Sequence, residues 1–300
     1  MRFQIHNLLG AVAAPVLALG LFSAPAQAQT QNIVQTAVAN GNFTTLVAAL
    51  QATGLDAPLS GVGRFTVFAP TDAAFAALPP GTVQNLLLPQ NLPTLSSILK
   101  YHVVTEAKFS SQVLAHPTID TLNGQRVDVS LVGGVPKIDG ATLILTDIVC
   151  SNGIIHVLDA VLAPNLNNIP QTAAAVGGFN TLLTAVTAAN LASALSGPGP
   201  FTVFAPTDAA FAPLPVTRLL LPVNIPRLAN ILTYHVVPGR VYADQLMNNQ
   251  VVQTLNGQTL LVTKQGNSVF VNGIQVVAAD VETSNGNIHV IGSVLLPPVF

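Results

Sequence analysis

Apolar positions along the chain recur with two different periods, and the same succession of periods is run through twice. Ile33, Val34, Ala37 and Val38 form one helical face that Asn40-Gly41 stops. Phe43, Leu46, Val47 and Leu50 form a second, stopped near Gly54. The period then falls to two, with Phe65, Val67 and Ala69 alternating with Thr66 and Phe68, which predicts a strand. Pro70 ends the strand, Thr71 is placed to cap the helix that follows, and Asp72 puts a carboxylate near the positive end of that helix. Phe75 falls on the first inward turn. Leu95, Leu99 and His102 follow at spacings of four and three, predicting a helix whose buried line includes the histidine. Beyond them Val127, Val129 and Leu131 alternate with Asp128 and Ser130. Asn123-Gly124, Asn152-Gly153, Asn272-Gly273 and Asn285-Gly286 read as tight hairpin turns between strands. Helices first and antiparallel strands afterwards predict an α+β fold, not a doubly wound sheet.

The second run repeats the first residue by residue. Phe65 to Phe75 recurs unchanged as Phe201 to Phe211, so Thr207 and Asp208 take the places of Thr71 and Asp72. Ile98-Leu-Lys-Tyr-His-Val-Val104 answers to Ile231-Leu-Thr-Tyr-His-Val-Val237, and Ser151-Asn-Gly-Ile-Ile-His-Val157 to Ser284-Asn-Gly-Asn-Ile-His-Val290. The offset is 136 residues early and 133 later, which places a three-residue deletion between Phe211 and Tyr234. A unit of this size is a domain, not a solenoid repeat. The expected division is a signal peptide over 1–28, a first domain over 29–164 and a second over 165–300. Pro164 to Pro170 would serve as a short, stiff linker.

Composition narrows the function. Half of the 300 residues are apolar and 7% are charged, so a large core is available and the polar surface must come mainly from Asn, Gln, Ser and Thr. A net charge of −2, no Trp and three Tyr supply neither the basic footprint nor the stacking platforms of a nucleic-acid binder. Arg2, the apolar run Leu8 to Phe22 and Ala26-Gln27-Ala28 have the layout of a secretory signal, with the mature chain starting near Gln29 and no membrane span after its removal. Cys150 has no partner for an internal disulfide, and Thr283 replaces it in the second unit, so it reads as a small core filler.

The ordered motifs Thr-Val-Phe-Ala-Pro-Thr-Asp-Ala-Ala-Phe, Ile-Leu-x-Tyr-His-Val-Val and Asn-Gly-x-Ile-His-Val, each present twice, resemble those of the fasciclin (FAS1) domain. The resemblance covers nearly all of the chain after residue 28. It implies two tandem domains, each a β-sheet wedge with helices packed around it, in a secreted, extracellular or periplasmic protein that works by adhesion or binding. In animal members two regions are implicated in integrin contact. One is the Tyr-His pair, here Tyr101-His102 and Tyr234-His235. The other is a Glu-Pro-Asp-Ile-Met type segment, which aligns with Leu145 to Val149 and Ala278 to Glu282. Asp147-Ile148 and Asp280-Val281 match it, and its Glu-Pro half is missing from both copies.

Catalytic readings find little to stand on. His102 and His235, in line with leucines, point to the core, where Thr71 and Asp72 are plausible partners for the ring of His102. His156 and His289 lie on strands, opposite Ile155 and Val157 and their counterparts. No Gly-x-Ser-x-Gly elbow occurs, Asp159 gives way to Gly292, and His156 lacks a second His or Cys at metal-ligand spacing on its element. Gly133-Gly134 and Gly177-Gly178 read as turns. The expectation is therefore a non-enzymatic binding protein without cofactor or metal, its partner a cell-surface or matrix protein or a glycan. The alternative is a water-soluble carrier of an apolar molecule such as a carotenoid, which the abundance of Ala, Leu and Val would suit.

Overall fold

A computed structural model describes residues 30–298; the expected signal peptide lies outside the described residues. The first unit runs α1 (Ile33–Asn40), α2 (Thr44–Thr53), α3 (Asp56–Ser60), β1 (Phe65–Pro70), α4 (Asp72–Ala76), α5 (Thr82–Leu86), α6 (Leu92–Tyr101), β2 (Val103–Val104), α7 (Ser110–Val113), β3 (Thr118–Asp120), β4 (Arg126–Val132), β5 (Val135–Ile138), β6 (Ala141–Cys150) and β7 (Gly153–Leu158). The second runs α8 (Ile169–Val176), α9 (Asn180–Ala188), α10 (Ala192–Ser196), β8 (Phe201–Pro206), α11 (Asp208–Phe211), α12 (Val216–Leu219), α13 (Ile225–Tyr234), β9 (Val236–Pro238), β10 (Gln250–Gln253), β11 (Thr259–Gln265), β12 (Ser268–Val271), β13 (Ile274–Thr283) and β14 (Gly286–Ile291). The deletion inferred from the repeat falls between α11 and α12, where the loop is shorter than the one joining α4 to α5.

Each unit forms one continuous ladder of seven strands, in the order β2-β1-β7-β6-β5-β4-β3 and its equivalent in the second unit. All pairings are antiparallel except that of β1 with β7, which runs parallel from Phe65 opposite Gly153 to Pro70 opposite Leu158, and its equivalent of β8 with β14. The first and last strands thus lie side by side inside the sheet, with only the short β2 beyond β1. Both of their faces are covered, which is why they read as nearly unbroken apolar runs. Val67, Ala69, Ile155 and Val157 pack under the helices with Leu46, Leu50, Phe75, Leu95 and Leu99. Phe68 and Leu158 point the other way, into a second cluster with Tyr101, Val127, Ile138 and Leu143.

Local chemistry sets the joints. Thr71 accepts a hydrogen bond from the Ala74 amide, as a cap should, and Thr207 does the same for Ala210. Asp72 stands in the first turn of its own helix, but its carboxylate serves the neighbouring one. It accepts from the Thr44 and Thr45 amides and the Thr44 hydroxyl, and Asp208 accepts in the same way from the Asn180 and Thr181 amides. Burial pushes the Asp72 carboxyl up, yet the hydrogen bonds from Thr44 and Thr45 outweigh it and leave it at about 2.

Asn272-Gly273 forms a two-residue turn with both φ angles positive, as expected, and Gly133-Gly134 and Asp139-Gly140 do likewise. Asn123-Gly124, Asn152-Gly153 and Asn285-Gly286 differ from the expectation, the first lying inside the longer loop 121–125 between β3 and β4. In the second, Ser151 and Asn152 make the turn, and Gly153 is already in the returning strand opposite Cys150. A Cβ at Gly286 would stand 2.0 Å from the Phe201 carbonyl oxygen, so glycine there allows the close approach of the parallel strand.

Candidate functional site

The Tyr-His pairs are inside the domains. His102 is 2% exposed and caps the end of α6. Its Nε2 accepts from the Leu162 amide at 2.9 Å, so Nδ1 carries the proton and donates to the Ile98 carbonyl at 2.8 Å. His235 repeats the arrangement with the Leu295 amide and the Ile231 carbonyl. The partners expected at Thr71 and Asp72 are elsewhere. The ring looks toward the far end of its unit because the helix delivers it beside the chain leaving β7, not beside α4. Burial pulls both imidazoles down to about 4, against the hydrogen bond to the carbonyl. They are neutral struts. The Tyr101 hydroxyl donates to Asp139 at 2.6 Å and lies 2.7 Å from the Arg126 carbonyl, and that of Tyr234 contacts the Thr259 carbonyl and the Asn272 amide group.

His156 and His289 are equally enclosed. Nδ1 of His156 accepts from the Asp147 amide, Nε2 donates to the Lys108 carbonyl, and the ring lies against Phe68. His289 does the same with Asp280, Val241 and Phe204. Asp147 and Asp280 sit at bulges of β6 and β13 with positive φ. The Asp147 carboxylate accepts from the Ser110 amide and hydroxyl, at 2.7 and 2.5 Å, and Asp280 accepts from the Ala243 amide. Ile148 and Val281 are half-buried against the cores. All these side chains hold the bulge in shape, and what the bulge offers outward is the residues around it. Cys150 is buried with its thiol against Thr36, and burial pushes that thiol up.

Sequence reasoning missed the residues that join the two units. Arg126 lays its guanidinium 3.7 Å above the ring of Tyr242, which is 4% exposed, and bonds Asp244 at 2.9 Å as well as Asp120 on its own side. Glu282 accepts from the Tyr242 hydroxyl and from the Arg126 amide, both at 2.7 Å. Gln125 clasps the linker, accepting from the Asn165 amide and donating to its carbonyl, and the Asn165 side chain donates to the Glu282 carbonyl. Burial pushes the Glu282 carboxyl up, opposed by Tyr242 and Arg126, and it pushes Asp139 up, opposed by Tyr101. The signal was available as a difference between the copies: Arg126 answers to Thr259, Tyr242 to Phe109 and Glu282 to Val149.

Two hollows bear on ligands. One is an apolar cavity of about 70 Å³ in the second unit, lined by Ile169, Val186, Ala194, Leu195, Phe201 and Leu232 among others. The first unit has Leu50 and Pro58 where this one has Val186 and Ala194, which accounts for part of the missing volume. The other is a polar cleft of about 460 Å³ between the units, bordered by Asp120, Asn123, Arg240 and Tyr242.

Two buried Tyr-His pairs, two bulges and one seven-strand ladder per unit decide the architecture, and comparison with known proteins agrees. The fasciclin domain family matches residues 41–164 and again 177–297. The chain belongs to the fasciclin domain family. It is 30% identical over 278 residues to transforming growth factor-beta-induced protein ig-h3 of Sus scrofa, across 91% of this chain and 40% of that protein. It is 51% identical over 134 residues to Protein sll1483 of Synechocystis, across 44% of this chain and 74% of that one. The chain thus spans well under half of the animal relative. A solved FAS1 domain pair from the insect cell adhesion molecule fasciclin I aligns over 86% of this fasciclin chain and 98% of its own, at 20% identity and a TM-score of 0.38. No helix among the described residues is long and apolar enough to cross a membrane.

Proposed function

We propose that this chain is a non-enzymatic binding module of the adhesion type, exported from the cytoplasm, that offers an extracellular or periplasmic protein or glycan two fasciclin domains held as one body. The observation that carries the reading is the Arg126–Tyr242–Glu282 junction, which fixes the spacing and orientation of the two domains. A fixed pair converts two weak contacts into one stronger one through effective concentration. The histidines support it, because their ring nitrogens are engaged by backbone groups and not free for proton transfer. On the second domain the counterparts of Phe109 and Val149, Tyr242 and Glu282, are engaged by the first domain, so the open recognition edge is that of the first domain, around Phe109 and Val149 beside Asp147.

Surface-plasmon capture of envelope or matrix proteins and of a glycan array tests this. Phe109→Ser should weaken binding about tenfold, as removal of an exposed aromatic anchor does; binding that ignores the substitution would move the site elsewhere. The carotenoid alternative faces a size limit. The apolar cavity holds about 70 Å³, against the roughly 300–1,000 Å³ of ordinary ligand pockets, so a polyene would have to lie in the polar cleft between the units or on an outer surface. Visible absorption of protein purified from its host checks that reading directly.

A further inference from the structure

The junction between the two domains is heterologous. One face of the first domain, carrying Asp120, Arg126, Asp128 and Asp139, meets a different face of the second, carrying Arg240, Tyr242, Asp244 and Glu282. Because the domains are copies, each also exists a second time. The counterpart of the first face lies on the second domain at Gln253, Thr259, Leu261 and Asn272. The counterpart of the second lies on the first domain at Ala107, Phe109, Ser111 and Val149. Matching hydrogen bonds confirm the correspondence. The Phe109 amide bonds Gln112 as the Tyr242 amide bonds Gln245, and Tyr234 meets the Thr259 carbonyl as Tyr101 meets that of Arg126.

Both spare faces have lost their charges at the same positions. Arg126, Asp120, Asp128 and Asp139 are replaced by Thr, Gln, Leu and Asn; Glu282, Asp244 and Arg240 by Val, Ser and Ala. The face of the first domain instead exposes Phe109 (47%) and Val149 (40%), and that of the second exposes Leu261 (44%). Loss of charge on one face alone would leave a mismatch; here it is absent from both, and Phe109 and Val149 on one face have Leu261 and uncharged polar residues opposite them on the other. Beneath the spare face of the second domain an acceptor is left unfilled. In the first domain the Gln125 Oε1 takes the linker amide of Asn165, whereas Gln258 Oε1 is buried with no partner among the described residues.

We infer that a second copy of this chain docks head to tail, the Phe109–Val149 face of one molecule on the Thr259–Leu261 face of the next, repeating the geometry of the internal junction. The occupant follows from that continuity, since the counterparts of these two faces are docked on one another within the chain. A heterologous contact of this kind leaves a free face at each end, so it builds rings or open filaments, not closed two-fold dimers. This assignment rests on the binding reading above and names its partner.

Sedimentation velocity of the full chain from about 10 µM to about 1 mM, the range of weak transient contacts, tests it. The wild type should gain mass with concentration and be little affected by salt. Val149→Glu and Thr259→Arg, both at exposed or half-exposed positions, should each leave a monomer with unchanged circular dichroism and Tm. The double variant V149E/T259R recreates between molecules the charges that Glu282 and Arg126 contribute within one, so association should return and now fall with rising salt. A wild type that stays monomeric throughout overturns the assignment, as does association unaffected by either single variant or not recovered in the double. A monomer that still captures a surface protein or glycan through Phe109 would sink the copy-to-copy contact and leave the binding reading standing; a monomer that captures nothing would sink both.

Discussion

At the scale of single residues, the four buried histidines of the two motifs carry a measurable pH signature. His102 and His235 titrate at about 4 in the folded chain and near 6.5 when exposed, so the unfolded chain binds their protons first. Their stabilising contribution is complete above about 6.5 and is lost as pH falls through the interval down to about 4. The expected drop is on the order of 3 kcal/mol for each ring, and denaturant midpoints measured between pH 7 and 4 would show it. His102→Ala should remove about 2–3 kcal/mol at pH 7 and flatten that dependence, since it orphans the Leu162 amide and opens a cavity. A midpoint unmoved by the substitution would contradict the enclosed placement. The inward direction of these rings was legible from their phase with Leu95 and Leu99. Their partners were not. Nothing in local spacing says that the chain 60 residues downstream returns beside His102.

Among the elements, those with a strong period were the legible ones. The faces of α1, α2 and α6, the strand β1 and its Thr71 cap all follow from spacing and capping chemistry. The parallel contact of β1 with β7 does not, because periodicity reports which face is buried and never which strand is the neighbour. Asn152 illustrates the same limit. It reads as a turn residue, yet its side chain bonds the Ile33 amide and the Leu59 and Gly61 carbonyls, tying three elements together. The apolar cavity belongs to this scale too, since it lies where α8, α9 and α10 meet the sheet with smaller side chains than their counterparts. Val186→Leu, which restores the residue found at position 50, should fill part of it and stabilise the second domain by about 1 kcal/mol. Calorimetry would register the gain, and a loss would mean that the backbone has already closed over the space.

For the whole molecule, the junction decides whether two domains behave as one. The Arg126 side chain is largely covered and serves two carboxylates and one aromatic ring, so Arg126→Ala should cost about 2–4 kcal/mol of coupling. Differential scanning calorimetry should show one transition for the native chain and resolve two for the variant. Acid acts on the junction in the opposite sense to the cores. Burial at the junction raises the Glu282 carboxyl, so its protonated form favours docking, and that contribution fades as pH rises above the ordinary carboxylate range. In so weakly charged a chain, a charged residue present in one repeat and absent from the other marks a place where the copies do different work. Read that way, Arg126, Asp244 and Glu282 were visible in the sequence, although their meeting across the linker was not.

The pairing of first strand with last has a consequence for biosynthesis. Strand β1 waits with one edge bare until β7 has been made, and β8 is its identical twin, equally able to occupy the same slot. Emergence from the ribosome in order removes the rivalry, for residue 158 completes the proper partner well before residue 201 begins the competitor. Refolding from denaturant offers no such precedence, and strand exchange between the halves is the error to which this duplicated chain is most exposed.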